Sequence, residues 1–149
     1  MELTRGSEYA LRGLAVLASH SPGEAVSLAD IAATQAIPAA FLAKVFQRLV
    51  RHGVLDAAPG PGNGYTLARP PAEISIRQAL EAVEGPRLFQ HCLLWRSHRA
   101  DSGPCPLHDH LKGCLSTLTL CLERISLAEY AATSAPEVHR TPTTSGAIP

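Results

Sequence analysis

The sequence predicts a mainly α-helical domain carrying one small β-hairpin and continued by a long C-terminal helix. Three observations carry this expectation. Apolar residues recur with helical spacing three times between residues 7 and 52. A Gly/Pro/Asn-rich stretch then separates two short extended segments, and beyond residue 106 apolar positions alternate steps of four and three. At 149 residues the chain has room for one ordinary domain, or for a small domain with an appended helix and tail. Its 46% hydrophobic and 17% charged residues suit a packed core and exclude a disordered chain.

The first helix is expected over residues 7–19, where Ala10, Leu14 and Leu17 fall at i, i+4, i+7 and Leu11 and Ala18 widen the stripe. A second, short helix should begin at Ser27, whose hydroxyl can cap the backbone while Asp30 complements the helix N-terminus. Leu28, Ile31 and Ala32 form its apolar side. After a turn through Gln35-Ala36-Ile37, Pro38 suits the first position of a third helix running to about His52 and stopped by Gly53. Phe41, Leu42, Val45, Phe46, Leu49 and Val50 give this helix a broad apolar face. Ala40, Lys44, Gln47 and Arg51 follow i, i+4, i+7, i+11 on the other side, with Arg48 beside them.

Val54 to Ala58 and Tyr65 to Ala68, around Pro59-Gly60-Pro61-Gly62-Asn63-Gly64, read as a hairpin with a long tip. Ser75 to Val83 should form a fourth helix, stopped by Gly85-Pro86. Leu107, Leu111, Cys114, Leu118, Cys121 and Ile125 have the spacing of a coiled-coil seam, which predicts a long helix from about Pro106 to Tyr130. From Thr133 the Pro/Thr/Ser-rich tail has little to bury and is expected to be disordered. The expected organisation is therefore 1–85, a hairpin-bearing helical domain; 86–105, a Cys/His-rich loop; 106–132, a long helix; and 133–149, a tail.

No apolar run reaches the ~18 residues of a membrane span, and the N-terminus lacks the basic-then-apolar order of a signal peptide. A cytoplasmic protein with no membrane partner is expected, in which four cysteines are thiols or metal ligands rather than disulfides. Lys plus Arg and Asp plus Glu number 13 each, giving a net charge of zero. That balance excludes a general DNA-coating protein. It is nonetheless an average, because residues 38–52 hold Lys44, Arg48 and Arg51 and no acid. Three helices with a short turn before the third, followed by a Gly-rich hairpin, are the parts of a winged helix-turn-helix. Its third helix lies in the major groove, where basic side chains neutralise phosphates or pair with guanine.

The stretches LTRGSEYALRGLAVLA, SLADIAATQAIPAAFLAKVFQRLVRHGVL and GPGNGYTLARPPAEISIRQALEAVEGP, with the ending CPLH and ISLAEYA, together resemble the BadM-like (Rrf-two) family of bacterial transcription regulators. The resemblance runs through residues 2–132 in unbroken order. It implies a homodimer, paired through the C-terminal helix, that binds a partly palindromic operator in double-stranded DNA and often represses. The expected DNA contacts are Ser27, Ala40, Lys44, Gln47, Arg48, Arg51, Gly62, Asn63, Gly64 and Tyr65. The expected dimer interface is the seam of Leu107, Leu111, Cys114, Leu118, Cys121 and Ile125. Two departures bear on operator choice: Pro59 precedes Gly60 where the family's wing commonly opens with Arg-Gly, and Ala43 stands where some members carry an acid.

His91 to His110 holds four of the seven histidines and two of the four cysteines. With Cys105 at a helix N-cap before Pro106, Cys105 and His108 would share a face, and Cys92 could fold back to the same point. Thiolate and imidazole suit iron-sulfur clusters and zinc alike. Cluster-binding relatives place three cysteines here. Cys92 and Cys105 match the first and last, and the middle one is absent, close to Arg99. His98, His108 and Glu8 are the candidate replacements, Glu8 matching an acidic position that some relatives supply from the partner chain. The resemblance favours a 2Fe-2S over a 4Fe-4S cluster, with zinc or no cofactor as alternatives. Competing readings are a cofactor-free regulator using a thiol switch or a protein partner, and a zinc-stabilised interaction module or Cys/His enzyme. Nothing in the sequence suggests a substrate pocket, so no enzymatic activity is expected.

Overall fold

The computed structural model describes residues 3–60, 63–90 and 106–134. Helix α1 (Arg5–Ala18) opens two residues before the apolar period does, because the Thr4 hydroxyl caps it, accepting from the Gly6 N–H at 3.1 Å. Helix α2 (Leu28–Gln35) starts as expected at Ser27, whose Oγ accepts from the Asp30 N–H at 3.1 Å and donates to the Asp30 carboxylate at 2.6 Å. Its last turn closes through Ala36, in the left-handed region at φ 52°, and the Ile37 N–H donates back to the Ala32 carbonyl at 2.9 Å.

Helix α3 (Ala39–Arg51) begins one residue later than the sequence suggested. Pro38 is the cap rather than the first helical residue. Its ψ of 121° keeps it extended to complete the turn, while its carbonyl accepts the first bonds of the ladder, from Phe41 and Leu42 at 3.0 Å each. Gly53, at φ 68°, ends the helix, as expected. A second expectation also fails here: Phe41 is not in the core but 43% exposed, with its ring edge-on to Tyr9 of α1 at 5.4 Å. Leu42, Val45, Phe46 and Leu49 are buried.

Strands β1 (Leu55–Ala57) and β2 (Tyr65–Leu67) pair antiparallel, Leu55 against Leu67 and Ala57 against Tyr65. Val26, just before α2, bonds both ways to Tyr65, at 3.0 and 2.9 Å, and so ties the hairpin root to the helices. Gly64, at φ 80°, lies so close to the Val26 carbonyl that no Cβ fits there. A short 3-10 turn at Pro71–Glu73 leads to α4 (Ile76–Glu84), which opens with a Ser75/Gln78 capping box and ends at Gly85.

The expected continuous helix from Pro106 to Tyr130 is instead two helices, α5 (His108–Arg124) and α6 (Leu127–Thr133). Ile125 is extended, and Ser126 starts α6 with a capping box to Glu129. The break is held from outside. The Ile125 carbonyl accepts from Ile76 N–H at 3.0 Å, and Leu127 N–H donates to the Ile74 carbonyl at 2.7 Å, bonds that an unbroken helix would deny. Helix α5 also starts two residues late, with Leu107 as a cap that makes no side-chain bond. Cys105 lies outside the described residues, as do residues 135–149, on which most of the expected tail falls.

One core joins these elements: Leu14 of α1, Ile31 of α2, Leu42, Phe46 and Leu49 of α3, Leu55, Ile74, Leu80 of α4, Leu115 of α5 and Leu127 of α6. Leu88 and Phe89, past the expected boundary at 85, are buried in it too. Helices α1 and α3 meet at Gly13, where an added Cβ would lie 2.8 Å from the Phe46 ring. Arg77 links α4 to α5, bonding Glu81 and Glu123 at 3.0 Å each.

Candidate nucleic-acid interface

Helices α2 and α3 bend by 119° across the Ala36–Pro38 turn, in the range of a helix-turn-helix pair. At 3.6 residues per turn, Ala40, Lys44, Gln47 and Arg51 fall within a stripe about 60° wide and ~16 Å long. All four are exposed, on the side of α3 away from buried Leu42 and Leu49. Among the described residues neither Lys44 nor Arg51 has an acidic partner; Arg51 donates only to the Gln47 carbonyl of its own helix, at 3.5 Å. The stripe is thus a protruding, uncompensated basic surface of a size that suits a ~12 Å wide major groove.

Other candidates have different surroundings. Arg48, at the edge of the stripe, donates from Nη1 to the Val83 carbonyl at 2.8 Å, at the end of α4. Ser27 is occupied as the cap of α2. The Tyr65 ring packs edge-on against Phe46 at 5.0 Å, and its backbone holds Val26. At the wing, Asn63 is exposed and its side-chain amide donates to the Pro59 carbonyl, bracing the tip, while Gly62 lies outside the described residues.

Of the candidate metal ligands, Cys92, His98 and Cys105 lie outside the described residues. His108 is half-buried at the first position of α5. Glu8 is exposed and pairs with Arg12 at 3.3 Å, one turn on. Among the described residues no three His, Cys, Asp or Glu side chains converge. Of the seam, Leu107, Cys114 and Cys121 are exposed, and Leu111, Leu118 and Ile125 are half-buried. Thr117, Leu120, Cys121, Arg124, Ile125 and Glu129 line a shallow groove where α5 meets α6.

The sequence reading missed a polar cluster behind α3. Glu84 Oε1 accepts from Thr4 N–H at 2.9 Å, Thr4 Oγ1 at 2.6 Å and Ser7 Oγ at 2.5 Å. Burial alone would raise this carboxyl, but the Ser7 and Thr4 hydrogen bonds, with the Arg48 charge adding, hold it below the ordinary carboxylate value. One signal was available: Glu84 is the last residue of α4, at the negative end of the helix dipole, where an acid needs partners.

Helix, sharp turn, protruding basic helix and braced hairpin define a winged helix-turn-helix protein of the DNA-binding class. A family model described as iron-dependent transcriptional regulator, Rrf2, matches residues 3–133. This chain belongs to the Rrf2 family of DNA-binding transcription regulators. It is 31% identical over 136 residues to the regulator IscR of Photorhabdus laumondii, covering 80% of this chain and 77% of that one. Over 86 residues it is 41% identical to IscR of Cereibacter sphaeroides, covering 56% of each. Its fold is similar to that of CymR, the global cysteine regulator of B. subtilis (TM-score 0.75, 19% identity, covering 91% of this chain and 99% of that one). It is also similar to that of T. potens IscR (TM-score 0.71, 21% identity, 91% and 89%). Membership makes the chain a regulator and not an enzyme. Among the described residues no single helix is long and apolar enough to cross a membrane.

Proposed function

We propose that this chain is a homodimeric operator-binding repressor in which α3 reads the major groove of double-stranded DNA and the Cys/His segment controls binding through an iron-sulfur cluster. The observation that carries the DNA-reading part is the uncompensated stripe of Lys44, Gln47 and Arg51 on a helix set 119° from its predecessor. The wing, with Asn63 and Gly64, reaches the adjacent backbone. Cluster control is supported by the family's iron-dependent description, by the IscR relatives and by the donor set. Cys92, Cys105 and His108, with His98 or Glu8 of the partner chain, would hold a 2Fe-2S cluster. Such a group supplies a charge and a ligand shell that change with redox state or iron supply. The rest falls to the chain, since residues 86–105 join α4 to α5 and thereby the reading half to the helix of the dimer seam.

Anaerobic purification with visible absorption and iron, sulfide and zinc analysis tests the cofactor. A chromophore with iron and sulfide in equal amounts is expected, lost in Cys105→Ser. Colourless, metal-free protein that still binds operator would replace this reading with a cofactor-free regulator. That second reading is favoured by one fact: only Cys92 and Cys105 stand between residues 86 and 113. A thiol switch between them, or a protein partner, would then supply the signal.

A further inference from the structure

Arg48 belongs by sequence to the basic run of α3, and by structure to something else. Its hydrogen bond to the Val83 carbonyl, 2.8 Å, is among the described residues the one side-chain bond from α3 to another helix. Beside that carbonyl stands Glu84, drawn to the Arg48 charge and bonded to three donors at the start of α1. One of these, Ser7, is 2% exposed, so its hydroxyl has no water to turn to. Arg48, Val83, Glu84, Thr4 and Ser7 thus form a continuous polar tie from the middle of the basic helix through the end of α4 to the cap of α1. An Arg48 that swung out to a phosphate would strip the last turn of α4 of a donor and withdraw a positive charge that helps hold Glu84 ionised. A loss of that kind offsets much of what one exposed phosphate contact supplies.

We infer that Arg48 is a positioning residue, which together with Glu84 fixes the rotation of α3 on α1 and α4 and is not itself a DNA ligand. The inference rests on α3 being the reading helix. Positioning and phosphate binding leave different signatures. A lost phosphate contact lowers affinity for every sequence and flattens the salt dependence, by about 0.9 in log K against log salt for each contact, so about 2 for a residue present twice in a dimer. A misrotated helix loses base contacts and therefore discrimination, while its phosphate count and salt slope stay.

The test uses the full-length protein, a duplex that the wild type selects from a random pool, and an unrelated duplex, across a salt series. Arg48→Gln is expected to bind the selected duplex at least ten-fold more weakly, with an unchanged slope and unchanged affinity for the unrelated duplex. Glu84→Gln, far from the stripe, should do the same in milder degree, and the double variant should be no worse than the worse single one, because both break one tie. Lys44→Ala and Arg51→Ala should each flatten the slope. A slope flattened by about 2 in Arg48→Gln, or affinity for the selected duplex left intact, overturns the inference while Lys44 and Arg51 still respond. Unchanged slopes in Lys44→Ala and Arg51→Ala would instead remove α3 as the reading helix. Melting curves confirm that each variant is folded at the working temperature. Should Arg48→Gln not fold, Glu84→Gln carries the comparison, with intact discrimination as the overturning result.

Discussion

Three single residues set the angle at which α3 is presented, and each makes a separate prediction. Ala36 closes the helix-turn-helix in the left-handed region, at φ 52°. An L-residue there costs roughly 1–2 kcal/mol, against roughly 0.4–1 kcal/mol for the extra unfolded-state freedom of glycine. Ala36→Gly should therefore stabilise the fold by about 0.5–1 kcal/mol, a rise of a few degrees in melting temperature, without weakening DNA binding. Gly13→Ala should act in the opposite sense. Its Cβ would meet the fully buried Phe46 ring at 2.8 Å, an overpacking cost of about 1–3 kcal/mol against about 1 kcal/mol of helix propensity gained. Denaturant midpoints distinguish the two signs. Glu84 gives the pH dependence. Its folded-state carboxyl is lowered, so it titrates below its unfolded counterpart; its stabilising contribution is complete above the ordinary carboxylate range and is lost as pH falls through the lower folded value. The stability gap between wild type and Glu84→Gln should thus be steady near neutrality and shrink only in acid. A gap that opened on acidification would refute the hydrogen-bond tie.

At the scale of elements, what could be read from the sequence was what local chemistry decides. Ser27 with Asp30, Gly53, Ser75 and Gly85 are short-range start and stop signals, and α2, the end of α3 and α4 appear where these signals put them. The hairpin was legible for the same reason. Apolar period was a poorer guide where two neighbours competed for one side chain. Phe41 fits the apolar face of α3 by spacing, yet the core beneath it is filled by Leu42 and Val45, and its ring goes to Tyr9 at the surface. The seam period carried straight through Ile125, although Ser126-Leu127-Ala128-Glu129 is a capping box in plain view. What decides between them is tertiary: the backbone of Ile74 and Ile76 needs the partners that the break exposes. The candidate DNA stripe was legible because Lys44, Gln47 and Arg51 need only one helix, whereas the task of Arg48 was hidden because its partner, Val83, lies 35 residues away. At this scale Lys44→Ala and Arg51→Ala are each predicted to weaken operator binding roughly ten-fold at moderate salt and to flatten its salt slope by about 2 per dimer, which fluorescence anisotropy across a salt series measures.

For the whole molecule the charge balance sets the terms. Residues 1–37 carry −2, 38–52 carry +3, 54–90 carry −1 and 91–149 carry zero. On the proposed reading one protomer offers DNA a small basic stripe inside neutral or acidic surroundings, and useful affinity would require two stripes engaged together. The outward side of α5 is where a second copy would fit. Leu115 and Leu122 turn inward to the core, leaving Leu107 at 49% and Leu120 at 54% exposed beside exposed Cys114 and Cys121. Gly113 sits on the same outward side with nothing near its missing Cβ. A glycine inside a helix costs about 1 kcal/mol relative to alanine, so a cost that nothing in its own chain explains suits a close approach by another helix. Leu120→Arg places a charge one helical repeat from Gly113, on the same side of α5, without touching the protomer's core. It is expected to convert a dimer to a monomer in light scattering, with melting behaviour that no longer depends on protein concentration. Operator affinity should fall by more than a hundred-fold and the salt slope should halve, since only one stripe is then engaged. A Leu120→Arg protein that remained dimeric would place the subunit contact elsewhere, and a monomer that kept full affinity would show that one stripe is enough.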